Sequence, residues 1–196
     1  MSTGTLALPR TGAPIVAGIF VGGASRRMGG QPKGLLRVAD GRTIVARWRD
    51  TFDACGVSCV LVGAHPSYAG QGIETLSDAA GDAGPLGGLA ALLDRASTAL
   101  AVACDMPYPS ITHVRMLLDA PPAVAVAPKR DGRWEPFFAR YDATRAKAVV
   151  HARLASGAHS MGGLLDALGA AELSLGPGGA AALRDWDSPS DLMDDT

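Results

Sequence analysis

Ile15 to Leu36 reads IVAGIFVGGASRRMGGQPKGLL, an apolar run that stops at paired glycines with Arg26, Arg27 and Lys33 set among them. The run Ile15 to Val21 has no polar interruption, which suits a strand covered on both faces, and such strands belong to parallel sheets flanked by helices. A loop that follows the first strand of a parallel sheet opens at the carboxyl edge, where ligands of open α/β sheets bind. Glycines let backbone N–H groups approach an anion without an intervening Cβ, and each flanking cation adds charge-assisted hydrogen bonds worth about 1.5 to 3 kcal/mol. The segment therefore reads as a phosphate cradle, and a triphosphate is the anion that uses all three cations. A solvated surface loop is the alternative. Neither the dinucleotide GxGxxG spacing nor the P-loop GxxxxGK[ST] fits, since the glycines are doubled and Lys33 precedes Gly34.

Similar apolar runs recur along the chain. Strands are predicted at Ile15 to Val21, Val57 to Val62, Ala99 to Ala103 and Ala123 to Ala127, and helices at Thr43 to Ala54, Leu86 to Ala96, Ile111 to Leu118 and Thr144 to Ala155. This alternation predicts an α/β fold of three layers, with a Rossmann-like, mostly parallel sheet between helices. The stretch PKRDGRWEPFFARYD breaks the pattern. Its turn and the run Phe137 to Tyr141 predict a hairpin or an antiparallel edge strand, so the sheet is mixed. Ser188, Pro189 and Asp191 have the spacing that opens a short last helix.

At 196 residues the chain suits one domain, residues 1–13 forming a loose N-terminal tail. Lys and Arg total 18 against 19 acidic residues, a formal charge of -1, so no global cationic field points to nucleic acid or to an anionic membrane. No run approaches the ~20 apolar residues of a membrane span. Cys55, Cys59 and Cys104 form no CxxC pair, which fits reduced thiols in a cytoplasmic protein. His113 and His151 have no ligand spacing and read as surface or helix residues.

Asp105 stands at the carboxyl end of the run Ala99 to Ala103, facing the same crevice as the glycine loop. Magnesium takes one or two carboxylates together with phosphate oxygens, so Asp105 suffices as its protein ligand. An Asx turn before Pro107 accounts for the same residue without a metal.

FVGGASRRMGGQPKGLL resembles the LAGGxSxRMGxxK signature of the molybdenum cofactor guanylyltransferase family, the MobA-like nucleotidyltransferases. Four further matches follow in order: Asp78 ahead of AGPLGGL (Ala83 to Leu89), ACDMP (Ala103 to Pro107), EPFFARY (Glu135 to Tyr141) and DWDSPSDL (Asp185 to Leu192). Together they span the chain from Gly18 onward. The resemblance implies a nucleotide-diphospho-sugar transferase-like fold and an Mg²⁺-dependent enzyme that transfers GMP from GTP to the terminal phosphate of a molybdopterin-type cofactor, releasing pyrophosphate.

On the matching positions, the resemblance implies Lys33, Arg27 and Asp105 as the catalytic set. It implies nucleotide contacts at Phe20, Val21, Gly22, Gly23, Ser25, Lys33, His65, Asp78, Gly84, Pro85 and Asp105. Metal falls to Asp105 and Asp187, although Asp187, next to a helix start, also reads as a favourable helix-end anion. Arg130, Arg133 and Trp134 are candidates for the pterin side, where a solvated hairpin tip is the alternative. The chain departs from the family at Phe20 and Val21, where Leu-Ala is usual, at His65, where asparagine is common, and at Glu135, where glutamine or histidine is. The expected enzyme is a monomer that meets cofactor-biosynthesis proteins and molybdoenzyme apoproteins transiently. The alternatives are a molybdopterin cytidylyltransferase or other small-molecule NTP transferase, and a non-catalytic nucleotide-binding regulatory protein.

Overall fold

A computed structural model describes residues 14–22, 32–63, 65–77 and 83–186. Among these residues the chain runs β1 (Ile15–Phe20), α1 (Ile44–Ala54), β2 (Ser58–Val62), β3 (Thr75–Leu76), α2 (Pro85–Arg95), β4 (Thr98–Ala103), α3 (Ile111–Asp119), β5 (Ala125–Ala127), β6 (Lys129–Arg130), β7 (Arg133–Trp134), β8 (Phe138–Asp142), α4 (Ala143–Ala155), α5 (Met161–Ala167), β9 (Ala171–Glu172) and α6 (Gly179–Ala182). Two single 3₁₀ turns, Lys33–Leu35 and Pro66–Tyr68, lie in the connections that follow β1 and β2.

Seven strands form one sheet in the order β3-β2-β1-β4-β8-β5-β9. The pairs β1/β2, β1/β4, β2/β3 and β5/β9 are parallel, while β8 is antiparallel to both β4 and β5. The mixed α/β sheet expected from the sequence is present, with one correction: the antiparallel strand at 138–142 is interior, not at an edge. Its residues explain the placement, because Phe138, Ala139 and Tyr141 are 0% exposed and fill both faces of the sheet. The hairpin is a separate pair, β6 with β7, turning through Asp131 and Gly132. Prediction also overlooked α5, whose Met161-Gly162-Gly163 start is weak in helix propensity but which Ser160 caps by accepting from Gly163 N–H.

Helices cover both faces. Val16, Phe20, Val60 and Val62 meet α2, α4 and α5 on one side. Ala17, Ile19 and Leu61 meet α1 and α3 on the other. The apolar face of α1, with Ile44, Val45, Trp48 and Phe52 buried, begins after Thr43, whose hydroxyl accepts from Ala46 N–H at 3.2 Å. On the opposite face, α2 approaches β1 and β2 at a separation that depends on missing side chains. A Cβ on Gly18 would come 2.6 Å from Leu92 Cδ2 and 2.7 Å from Val62 Cγ2, and one on Gly88 would come 2.6 Å from Val62 Cγ1. This contact brings α2 down onto the strands that carry the site.

Candidate functional site

The parallel strands β1, β2 and β4 end together, and their carboxyl ends build one crevice wall. Cys104 N–H donates to the Phe20 carbonyl at 3.1 Å, and Val21 N–H donates to the Val62 carbonyl at 3.0 Å. The ends of three strands are thus locked in register one residue beyond the sheet proper. The Phe20 ring turns away from the crevice into the core, 5.1 Å from the Phe137 ring, so this residue faces a ligand only through its backbone. Val21 is buried and Gly22 is exposed.

Into this edge come two charged groups from distant parts of the chain. Lys33 Nζ donates to Asp105 Oδ2 at 3.0 Å, with the two side chains 17% and 21% exposed. Lys33 stands on the 3₁₀ turn Lys33–Leu35, and Asp105 follows β4 by two residues. Burial raises the Asp105 carboxyl above its ordinary value, against the opposing pull of Lys33, and the negative charge of Asp185 adds to the rise. Among the described residues, desolvation therefore outweighs the direct ion pair at this carboxylate.

The C-terminal segment closes over the same point. Trp186 N–H donates to the Asp105 carbonyl at 2.9 Å, and the Trp186 indole donates to Tyr108 Oη at 2.8 Å. Arg130 holds the segment from the hairpin side: its guanidinium reaches the Leu183 carbonyl and Asp185 Oδ1 at 3.3 Å, and its Nε lies 2.6 Å from Glu135 Oε1. Burial raises the Glu135 carboxyl, Arg130 lowers it, and Asp185 raises it again.

The residues named from sequence fall into three groups. Lys33 and Asp105 meet directly, and the strand-end residues Phe20, Val21 and Gly22 border them. Gly84 and Pro85 form the N-cap and first turn of α2, which starts at the same sheet edge, where unpaired N–H groups favour an anion. His65 follows β2 and is exposed; its Nδ1 accepts from Ser67 N–H at 3.3 Å, capping Pro66–Tyr68, and the ring lies edge-on to Tyr68. Arg27, Gly23, Ser25, Asp78 and Asp187 lie outside the described residues, as does the helix expected at Ser188.

On the pterin side, Arg130, Arg133 and Trp134 share the β6–β7 hairpin, Arg130 opposite Arg133 and Trp134 opposite Lys129. Arg130 is engaged with Glu135 and Asp185, and Trp134 donates to Asp166 Oδ1 at 2.7 Å while Lys129 Nζ sits 4.3 Å from its ring centroid. His113 proves structural, since its Nδ1 accepts from Ser110 N–H in the capping box of α3. Sequence reasoning missed Tyr68, Cys104 and Trp186. Cys104 and Trp186 carry a signal, for each adjoins a motif aspartate, whereas nothing local distinguishes Tyr68.

Among the described residues no three His, Cys, Asp or Glu side chains cluster as a metal cage. No helix among them is long and apolar enough to cross a membrane.

Comparison with known proteins places this geometry among relatives. The family profile described as the MobA-like NTP transferase domain matches residues 17–171. A probable molybdenum cofactor guanylyltransferase of Pelotomaculum thermopropionicum is 33% identical over 137 residues, 67% of this chain and 65% of the relative, so the match spans a little under two thirds of that protein. A molybdenum cofactor guanylyltransferase of Serratia proteamaculans is 30% identical over 182 residues, 89% of this chain and 90% of the relative. The crystal structure of molybdopterin-guanine dinucleotide biosynthesis protein A of Archaeoglobus fulgidus shares the fold, with a TM-score of 0.74 and 21% identity over 92% of this chain and 95% of that one. With a profile match that runs from β1 to β9 and a relative aligned over nearly its whole length, the chain belongs to the family of MobA-like NTP transferases.

Proposed function

We propose that this chain transfers GMP from GTP to the terminal phosphate of a molybdopterin-type cofactor and releases pyrophosphate. The observation that carries the reading is the Lys33–Asp105 contact, which joins the residue closing the glycine-rich segment to the end of β4 at the ligand-binding edge of the sheet. Membership of the family supplies the reaction class. The names of the Pelotomaculum and Serratia relatives supply the substrate.

An oxygen of the acceptor phosphate attacks the α-phosphorus of GTP, a new P–O bond forms, and the bond to the β-phosphate oxygen breaks as pyrophosphate leaves. The attacking phosphate is already ionised, so no strong general base is needed. The protein's task is alignment and stabilisation of charge. Lys33 would turn its ammonium from Asp105 to the transferring phosphate, and Arg27 with the amides near Gly22 and Gly23 would cradle the remaining phosphates. Ser25, Asp78, Gly84, Pro85 and His65 belong to the proposed nucleotide pocket.

Asp105 suits magnesium. Its carboxylate is partly buried and has one oxygen on Lys33, at the sheet edge where a hard cation shared with phosphate oxygens would sit. When bound, the ion would neutralise phosphate charge; Asp187 is the proposed second contact. The cofactor would be exchanged in transient contacts with cofactor-biosynthesis proteins and molybdoenzyme apoproteins.

The test is pyrophosphate release by the purified protein with each of the four NTPs, Mg²⁺ and the molybdopterin acceptor. GTP-dependent release supports the reading. Preference for CTP reassigns the chain as a cytidylyltransferase, and tight GTP binding without turnover reassigns it as a regulatory binder.

A further inference from the structure

Lys33 and Asp105 come from segments far apart in sequence, and the chain neighbour of each meets the same buried hydroxyl. Gly34 N–H donates to Tyr68 Oη at 3.1 Å, and Tyr68 O–H points to Cys104 Sγ at 3.9 Å. Tyr68 is 4% exposed and Cys104 8%. Burial raises the Tyr68 phenol and pushes the Cys104 thiol up to about 12, so both remain neutral hydrogen-bonding groups at physiological pH.

The contact is tight as well as polar. A Cβ on Gly34 would lie 2.7 Å from Val45 Cγ2, 2.9 Å from Tyr68 Oη and 3.0 Å from Cys104 Cβ. The turn that carries Lys33 is therefore pressed against α1, against Tyr68 and against the residue before Asp105, at a distance that the absence of a side chain allows. Tyr68 is itself held, because His65 caps its turn and sets its ring edge-on beside it. A phenylalanine would fill the same apolar space. The hydroxyl serves the Gly34 amide, a buried donor that Cys104 Sγ also faces but from which the phenol oxygen accepts more strongly than a thiol can.

We propose that Tyr68 is a positioning residue for the Lys33–Asp105 pair: its buried hydroxyl fixes the backbone turn that aims the lysine against the strand end that carries the aspartate. The proposal rests on the reading of that pair as the reacting centre and adds the element that sets its spacing. Displacements of about 1 Å at such a centre cost up to 10²-fold in rate, so a clamp one residue away from both groups acts on turnover more than on binding.

Tyr68→Phe in the full-length chain is the direct test. Its kcat for GMP transfer falls about tenfold or more while the KM for GTP stays within about twofold, the signature of an interaction lost in the transition state. Wild-type kcat in Tyr68→Phe, alongside a large loss in Lys33→Ala, overturns the clamp and leaves the functional reading standing. Wild-type kcat in Lys33→Ala overturns the functional reading and removes the clamp's catalytic meaning with it. A second readout does not depend on activity. Hydrogen exchange at the Gly34 amide, followed by NMR, is slow in the wild-type protein and quickens about a hundredfold in Tyr68→Phe while the β4 amides keep their protection. Fast exchange at Gly34 in the wild-type protein overturns the proposal, even if Tyr68→Phe does not fold.

Discussion

Trp186 donates its backbone N–H to the Asp105 carbonyl across 2.9 Å, so the residue that carries the candidate metal carboxylate is held by the C-terminal segment as well as by its own strand. The segment is fastened on both sides of this bond. Arg184 and the Trp186 indole share Tyr108 Oη, and Arg130 reaches Leu183 and Asp185 from the hairpin. The site is thus closed by residues some eighty positions after Asp105 and far further from Lys33.

Arg130→Met removes the cation between Glu135 and Asp185 and leaves two partly buried carboxylates facing each other. The expected loss of stability is about 1 to 3 kcal/mol, the cost of a charged hydrogen-bonded partner removed from a partly buried site. Urea unfolding measures it, and near-UV circular dichroism reports the loosening of Trp186. An unchanged midpoint with an unchanged Trp signal would show that the clasp contributes nothing.

Asp105→Asn is expected to abolish Mg²⁺-dependent turnover without lowering the melting temperature at neutral pH. The sign follows from the raised carboxyl. A group whose folded value lies above its unfolded value contributes stability below the unfolded carboxylate range, and that contribution is lost as pH rises through the folded value. At neutral pH the ionised Asp105 is therefore a cost to the fold, and asparagine relieves it. Calorimetry of the two proteins decides; a clearly less stable Asp105→Asn contradicts the assignment of burial as the dominant cause.

Lys33→Met should move the Asp105 carboxyl higher still, because lysine is the group that opposes burial there. The acid limb of the pH profile of kcat/KM, attributed to ionisation of Asp105, would shift toward neutral pH in whatever activity remains, and kcat would fall by about 10² or more. NMR titration of the Asp105 carboxyl carbon reads the shift directly, and a downward movement would refute the pairing.

Gly88→Ala tests the packing of α2. The new methyl must displace Val62 Cγ1 or push the helix away from β1 and β2, at about 1 to 3 kcal/mol. Thermal unfolding checks the magnitude; a neutral effect would mean that α2 has room to move.

Legibility in the sequence followed the range of each interaction. The strands through Val16, Val60 and Leu100 and the helices beginning at Thr43 and Pro85 were readable because apolar period and caps are local signals. Lys33 and Asp105 were readable as partners since one lies in the connection that follows β1 and the other just after β4, parallel strands that end at one edge. The interior position of β8 was not, because Phe138 to Tyr141 alternates in a way that suits either an edge or a centre. Tyr68 was invisible for a different reason: its hydroxyl meets Gly34 and Cys104 only after two connections fold onto one another. His65 shows another limit, for its capping of the turn Pro66–Tyr68 is a local role that the reading of a strand-end polar residue did not include.

The insertion of β8 between β4 and β5 also makes the candidate site's edge depend on residues that come well after it in the chain. On one side β4 pairs with β1, already made, but its other neighbour is not translated until residue 142. A chain cut short before β8 would carry Asp105 beside an open sheet border, and unpaired borders invite intermolecular pairing. Truncation is therefore tolerated only downstream of Asp142, since any shorter product leaves β4 without its second neighbour.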